Sequence, residues 1–487
     1  MTSLENETKI RRTQFTIDIR RGGYESTFDD NRRKLIKQRE EEKRPLSREK
    51  MTQFEKCFLK LKSARNEEEL MLALIEIRQL MCDITNIDHA PFQEFIESGL
   101  LDPIMAYLGA KSNAENSFME NVKIETSWII SNVVLCSSDQ FSLFIDRGII
   151  QIVHDNLSTE DPKLMKNLLW IMSNMVAEDI SVLIPFYRIG SFETLLNSLQ
   201  KLYDVRDIAE VAGMLLSNVV KCKGFFPFSL ESKFAEIVAK FIRTHKDPAV
   251  LMESLWFFAY FLDKNPDNSP HIDFASNLDL EGHFINSATK SDSMLYKPAI
   301  RSLACLSLGK SKVVEKLLRP PMFKALPKLL NKEPCQSLTD SLWMVNNILQ
   351  TDRISHESLA DKNFLEKILS IAAGPFYSGS SEIAVEVLIS FLKFLYVEEL
   401  RFFLKSFNVV EFFLDQIGRT DVTQKFIIKS LEFLFCIIHF EDIFKQGDIR
   451  AYFVRSRYIS NLEHLSYSES IRISDLKRRI LKLLEEN

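Results

Sequence analysis

Apolar residues recur along this chain at spacings of three and four, in blocks separated by short polar stretches, and certain polar residues return inside the apolar pattern at fixed places. Trp128-Ile-Ile-Ser-Asn132 and Trp170-Ile-Met-Ser-Asn174 are nearly the same pentapeptide 42 residues apart. On a helix, positions i and i+4 share one face, so each copy points an indole and a carboxamide the same way. With Trp128 as phase zero, equivalent positions fall at Trp170, Met214, Trp256, Arg301, Trp343, Ile389 and Glu432, at spacings of 42, 44, 42, 45, 42, 46 and 43 residues. Helical units of that period bury their apolar stripes only against their neighbours, as armadillo and HEAT solenoids do.

A second marker holds the register. Phe144–Gly148 and Phe186–Gly190 each end 20 residues after their unit's Trp, and Phe95–Gly99 begins the series. A glycine there can take the left-handed conformation that ends one helix, while the apolar run after it opens the next. The resulting short-helix, long-helix rhythm is that of armadillo units. The expected fold is all-α: a right-handed superhelical α-solenoid of about ten armadillo repeats, preceded by a basic arm, partly helical or disordered. The expected domains are an arm over residues 1–50, a solenoid over 51–450 and a capping repeat over 451–487. In that last repeat Lys477, Arg478, Arg479 and Lys482 would lie on the outer side of an amphipathic helix.

Composition narrows this picture. With 487 residues, 46% apolar and 26% charged, and only 14 Gly and 15 Pro, the chain has a helical diet and enough apolar material for a long core. No apolar stretch near Met1 resembles a secretory signal, and the most apolar runs are shorter than a membrane span. The seven Cys are odd in number and never form a CxxC pair, which indicates neither a disulfide framework nor a zinc site and suits a reducing compartment. The net charge of −5 conceals a division, because residues 9–50 carry 14 Lys/Arg against 8 Asp/Glu. A basic arm is attached to an acidic body, and the two attract at modest salt.

Two departures from the pattern are informative. Leu255-Trp256-Phe257-Phe258-Ala259-Tyr260 puts Tyr where Asn is expected, and Pro298-Ala299-Ile300-Arg301 puts Arg where Trp is expected. With the ladder itself, these exceptions make the chain resemble the importin-alpha (karyopherin-alpha) family, adaptors that carry proteins with basic nuclear localisation signals. The likeness is strong from Ser98 to Gln350. The arm, with Arg11, Arg12, Arg20, Arg21, Arg32, Arg33, Lys34, Lys37, Arg39, Lys43 and Arg44, is similar to an importin-beta-binding segment, although Gly22 and Gly23 break its basic run. The resemblance implies three kinds of partner: proteins bearing basic signals, importin-beta, and an export factor of the importin-beta class. It also implies shuttling between cytoplasm and nucleus, with no membrane and no direct nucleic-acid binding.

The ladder has a physical use. An extended peptide needs partners for its backbone N–H and C=O groups, and a row of carboxamides supplies both donor and acceptor whatever the side chains are. Slots between indoles suit the aliphatic stem of Lys or Arg, with the cation over a π face. A lone Trp is core more often than platform, but an Asn four residues after Trp128, Trp170 and Trp343 reverses that reading. The expected major groove comprises Glu125, Trp128, Asn132, Asn167, Trp170, Asn174, Glu178, Asn218 and Glu253. A weaker minor groove comprises Trp256, Tyr260, Arg301, Asp340, Trp343, Asn347 and Glu386, with Arg301 standing equally for a structural ion pair. It is expected to be weak because Cys305, Ile389 and Lys393 interrupt its ladder.

Catalysis finds no support. The eight His are dispersed, and no phosphate-loop, dinucleotide, zinc-protease or nucleophile-elbow motif occurs, so no enzyme activity, cofactor or metal is expected. The competing reading is an armadillo scaffold that binds another extended peptide partner and is not linked to import.

Overall fold

The computed structural model describes residues 48–85, 95–111, 117–135, 141–178, 180–222, 224–263, 270–290, 293–318, 320–330, 336–350, 362–374, 379–392, 408–419, 422–444, 453–456, 459–465 and 470–485. Apart from the start of its first helix, the basic arm lies outside them, as does Lys393. The described residues form helices, turns and short connections, with no strand among them. The chain is an all-α armadillo solenoid. It divides into two compact units, Met1–Lys264 and Asn265–Asn487.

In the first unit, a hairpin of Arg48–Ser63 and Glu67–Thr85 leads into repeated triads of a short, a medium and a long helix. One triad is Phe141–Asp146, Ile149–Asn156 and Pro162–Glu178; the next is Leu183–Arg188, Ser191–Leu202 and Arg206–Lys221. The long helices carry the ladder, and we name them α1 (Glu67–Thr85), α2 (Ser117–Leu135), α3 (Pro162–Glu178), α4 (Arg206–Lys221) and α5 (Pro248–Leu262). Each packs on the next in chain order.

Local chemistry sets their starts. Asp161 accepts hydrogen bonds from the backbone N–H groups of Lys163 and Leu164, and Asp247 from those of Ala249 and Val250. Each Asp precedes a proline, whose fixed φ and missing donor suit the first helical position. These Asp-Pro pairs aim α3 and α5, and with them Trp170 and Trp256.

The expected glycine breaks occur where the register places them, with φ of +78° at Gly99, +77° at Gly148 and +80° at Gly190. Gly148 and Gly190 immediately precede the medium helices. Gly213 has a different use: a methyl there would stand 3.2 Å from the Cβ of Glu253, so α4 and α5 approach too closely for a side chain.

The second unit repeats the plan with α6 (Ser293–Leu306), α7 (Gln336–Leu349), α8 (Ser380–Leu392), α9 (Gln424–Phe444) and α10 (Ile471–Glu485), each again packed on the next. Residues 337–349 of α7 are buried throughout. In α10, Ile473, Leu476 and Ile480 face inward while Arg478 and Arg479 are exposed.

Gly190→Ala should destabilise the fold by about 1–2 kcal/mol, although nothing lies within 4 Å of the added methyl, because the left-handed backbone alone penalises it. Urea denaturation monitored by helical circular dichroism measures this, and an unchanged midpoint would refute the glycine's conformational role.

Candidate peptide-binding groove

The ladder face of the first unit is open. Trp128, Trp170, Met214 and Trp256 are half-buried, as are Asn132, Asn174 and Asn218 on the same helices. Between α1 and α4, Trp128, Asn132, Trp170 and Asn174 line a groove of about 920 Å³ together with Asn167, while Met214, Asn218 and Trp256 continue the ladder face beyond it.

The carboxamides are held by the preceding helix. Asn174 Nδ2 donates to the carbonyl of Ser131 at 3.1 Å, and Asn218 Nδ2 reaches Ser173 Oγ at 3.4 Å. Asn167 is almost buried and donates to the Ile124 carbonyl and to Ser127 Oγ, both at 3.0 Å. Asn132 donates to the carbonyl of Trp128 in its own helix at 2.8 Å. An amide group has two N–H bonds and a carbonyl. One N–H of Asn174 and of Asn218 thus fixes the rotamer, and the rest of each amide can serve a guest backbone.

The electrostatics depart from the expected acidic bed. The groove lining carries Arg78, Lys163, Lys166 and Arg206 against Glu125 and Asp207. Glu125 forms an ion pair with Arg78 at 2.7 Å, and the Arg78 guanidinium lies 5.9 Å from the centre of the Trp128 ring. Lys166 and Arg206 both bind Asp207, and Arg206 also reaches Glu210 and Asp247. These cations hold the Asp207 and Asp247 carboxyls below the usual carboxylate range. Arg78 comes from α1, which has no ladder residue of its own. Its nearest sequence signal is its place on the helix preceding the first Trp.

Glu253 is different. It lies three residues before Trp256, half-buried against Gly213, and no cation pairs with it among the described residues. Burial, aided by the nearby Glu210 carboxylate, pushes its pKa up to about 7. Glu178 ends α3, and its side chain lies outside the described residues.

The residues expected in a minor groove are divided between the two units. Trp256 and Tyr260 belong to the first unit and stack on each other, ring centres 5.6 Å apart, with Lys221 6.0 Å from the Tyr260 ring. The others belong to the second unit, where Arg301, Asp340, Trp343 and Asn347 are all at most 5% exposed. Arg301 pairs with Asp340 at 3.3 Å and lies 5.6 Å from the Trp343 ring centre, while Asn347 donates to Ser307 Oγ. Glu386 is bound by Lys429 from α9 at 3.0 Å. In place of a weak groove, these four residues make a buried polar core, because the guanidinium supplies the cation that a guest would have brought. Of the interrupting residues, Cys305 is buried in α6 and Ile389 is half-buried in α8.

No group of three or more His, Cys, Asp or Glu among the described residues could hold a metal ion, and no helix there is long and apolar enough to cross a membrane.

Comparisons with known proteins agree with this architecture. No family model matches the chain. It is 20% identical over 286 residues to importin subunit alpha-2 of Caenorhabditis elegans, covering 58% of this chain and 51% of that protein. The match thus spans about half the length of that relative. Among solved structures, an engineered protein superposes with a TM-score of 0.70 at 14% identity, over 89% of this chain and 99% of the other. A chain from work on a phosphorylation switch controlling the interaction between cadherin and beta-catenin gives 0.67 at 12% identity, over 89% and 83%.

Removing one partner of the buried pair should cost far more than removing a groove residue. Asp340→Ala should destabilise the chain by about 3–5 kcal/mol by taking a buried carboxylate away from the buried Arg301 guanidinium, whereas Asn174→Ala should cost about 1 kcal/mol. Chemical denaturation of the two variants tests this, and equal losses would contradict the division into core and groove.

Proposed function

Taking the chain as a divergent, importin-alpha-like armadillo protein, we propose that it is an adaptor whose first unit holds an extended, basic segment of a cargo protein, and that its role is nuclear import. In this reading Asn132, Asn174 and Asn218 bind the guest backbone, with Trp170 and Trp256 walling the slots for aliphatic stems. The N-terminal arm recruits importin-beta, an export factor of the same class returns the adaptor, and the chain shuttles between cytoplasm and nucleus. No catalytic step is assigned to it.

Glu253 carries the proposal. A carboxylate on the ladder face, half-buried, beside a second carboxylate and without a cation among the described residues, gains from a positive guest side chain more than any other group in the row. Without a guest, the folded chain retains a proton on Glu253 that the unfolded chain, at the ordinary 4.5, has already released. Stability therefore falls as pH rises from 4.5 towards 7, and a bound cation relieves the loss.

The cationic lining near Arg78 favours a second reading, an armadillo scaffold for a different extended partner. The two readings separate on the same titration. For an import adaptor, a basic signal peptide should bind up to about tenfold more tightly at pH 8 than at pH 6, and Glu253→Gln should flatten that dependence. Asn132→Ala combined with Asn174→Ala should weaken binding by about 1–3 kcal/mol. Binding that ignores pH and survives the double substitution would favour the scaffold.

The arm is tested separately. Replacing Arg32, Arg33 and Lys34 with Ala should abolish capture of importin-beta and leave peptide affinity at high salt unchanged, where arm–body attraction is screened. Retained capture by this variant would contradict the arm's assignment.

A further inference from the structure

The groove near α1 is chemically unlike the ladder face further along, where Glu253 stands on α5. The Arg78 side chain crosses from α1 to α2, pairs with Glu125 and lies over Trp128, where a guest cation would otherwise sit. Lys163 and Lys166, on α3, also line the groove. Asp207 is the other carboxylate of the lining, and Lys166 and Arg206 already share it.

A guest lysine entering the Trp128 slot must displace Arg78 from Glu125, exchanging one cation–carboxylate contact for another while leaving the displaced guanidinium nearby. Little net attraction remains. A guest carboxylate or phosphate at the same place meets Arg78, Lys163 and Lys166 without breaking the pair.

We infer that Arg78 is a specificity-determining residue, and that the ladder face of the first unit selects an extended peptide of mixed charge, with an anionic side chain beside Arg78 and a cationic one beside Glu253. This rests on the reading of the first unit as a peptide groove. It explains why an indole platform coexists with a lining in which cations outnumber carboxylates. It also assigns a direction to the guest along the ladder, because Arg78 on α1 and Glu253 on α5 carry opposite preferences.

The experiment is a binding titration of the full-length protein with peptides of equal length sharing one Lys/Arg cluster. The parent is flanked by Ala; the others carry two Glu or a phosphoserine on one side or the other of the cluster. Wild type should prefer one of the two anionic orientations over the parent by about tenfold, at low salt. The Glu and phosphoserine arms distinguish a carboxylate from a phosphate as the preferred anion, and a gain in either arm supports the inference. Arg78→Gln should bring anionic and parent peptides to nearly equal affinity, while Arg78→Lys keeps the preference. Arg78 is partly exposed, and helical circular dichroism reports whether the variant has kept its fold. An unaltered preference in Arg78→Gln, or a wild-type preference for the parent, overturns the inference. If the parent peptide still binds and depends on Asn174, the proposed function stands without it. Failure of every peptide to bind wild type overturns both.

Discussion

Everything in the groove depends on how one long helix is tied to the one before it. Apolar packing brings successive ladder helices together, but packing alone would leave their polar side chains free to rotate. The hydrogen bonds from Asn174 to the Ser131 carbonyl and from Asn218 to Ser173 Oγ remove that freedom, spanning one repeat each time. A donor spent on the preceding helix costs the amide half of its N–H capacity and returns a fixed orientation. Pre-orientation of this kind lowers the entropy lost when a flexible partner is bound.

The same residue types serve two ends in this chain. In the first unit indoles and carboxamides stay half-buried beside water, whereas in the second Arg301, Asp340, Trp343 and Asn347 close on one another. The difference follows from one substitution. An arginine in place of an indole brings its own charge into the row, and that charge needs a buried carboxylate, here Asp340. Once paired, the cluster has no reason to open.

Much of this was legible in the sequence. The period of the Trp/Asn pairs and the glycines at 148 and 190 marked helices that the structure contains, because both depend on local backbone rules. What sequence could not show was which ladder residues face outward. Trp170 and Trp343 have the same Asn four residues on, yet only tertiary packing separates an open indole from one that is 3% exposed. Arg78 gave no such signal for a related reason: it stands on a helix with no ladder residue of its own, nearly fifty residues before its partners Glu125 and Trp128. The serines that anchor the carboxamides were visible as letters beside each Asn, but only the geometry revealed them as acceptors for the following repeat.

Gly213 has an effect beyond packing. Because it lacks a side chain, α5 comes close enough for Glu253 to lie against α4, within the field of Glu210 one turn earlier on that helix. The surroundings of the Glu253 carboxyl thus depend in part on an uncharged position. A lineage that filled Gly213 with even a methyl would push the two helices apart and relax the crowding of the carboxylates. It could thereby retune the groove's response to acidity without altering a single ionisable residue.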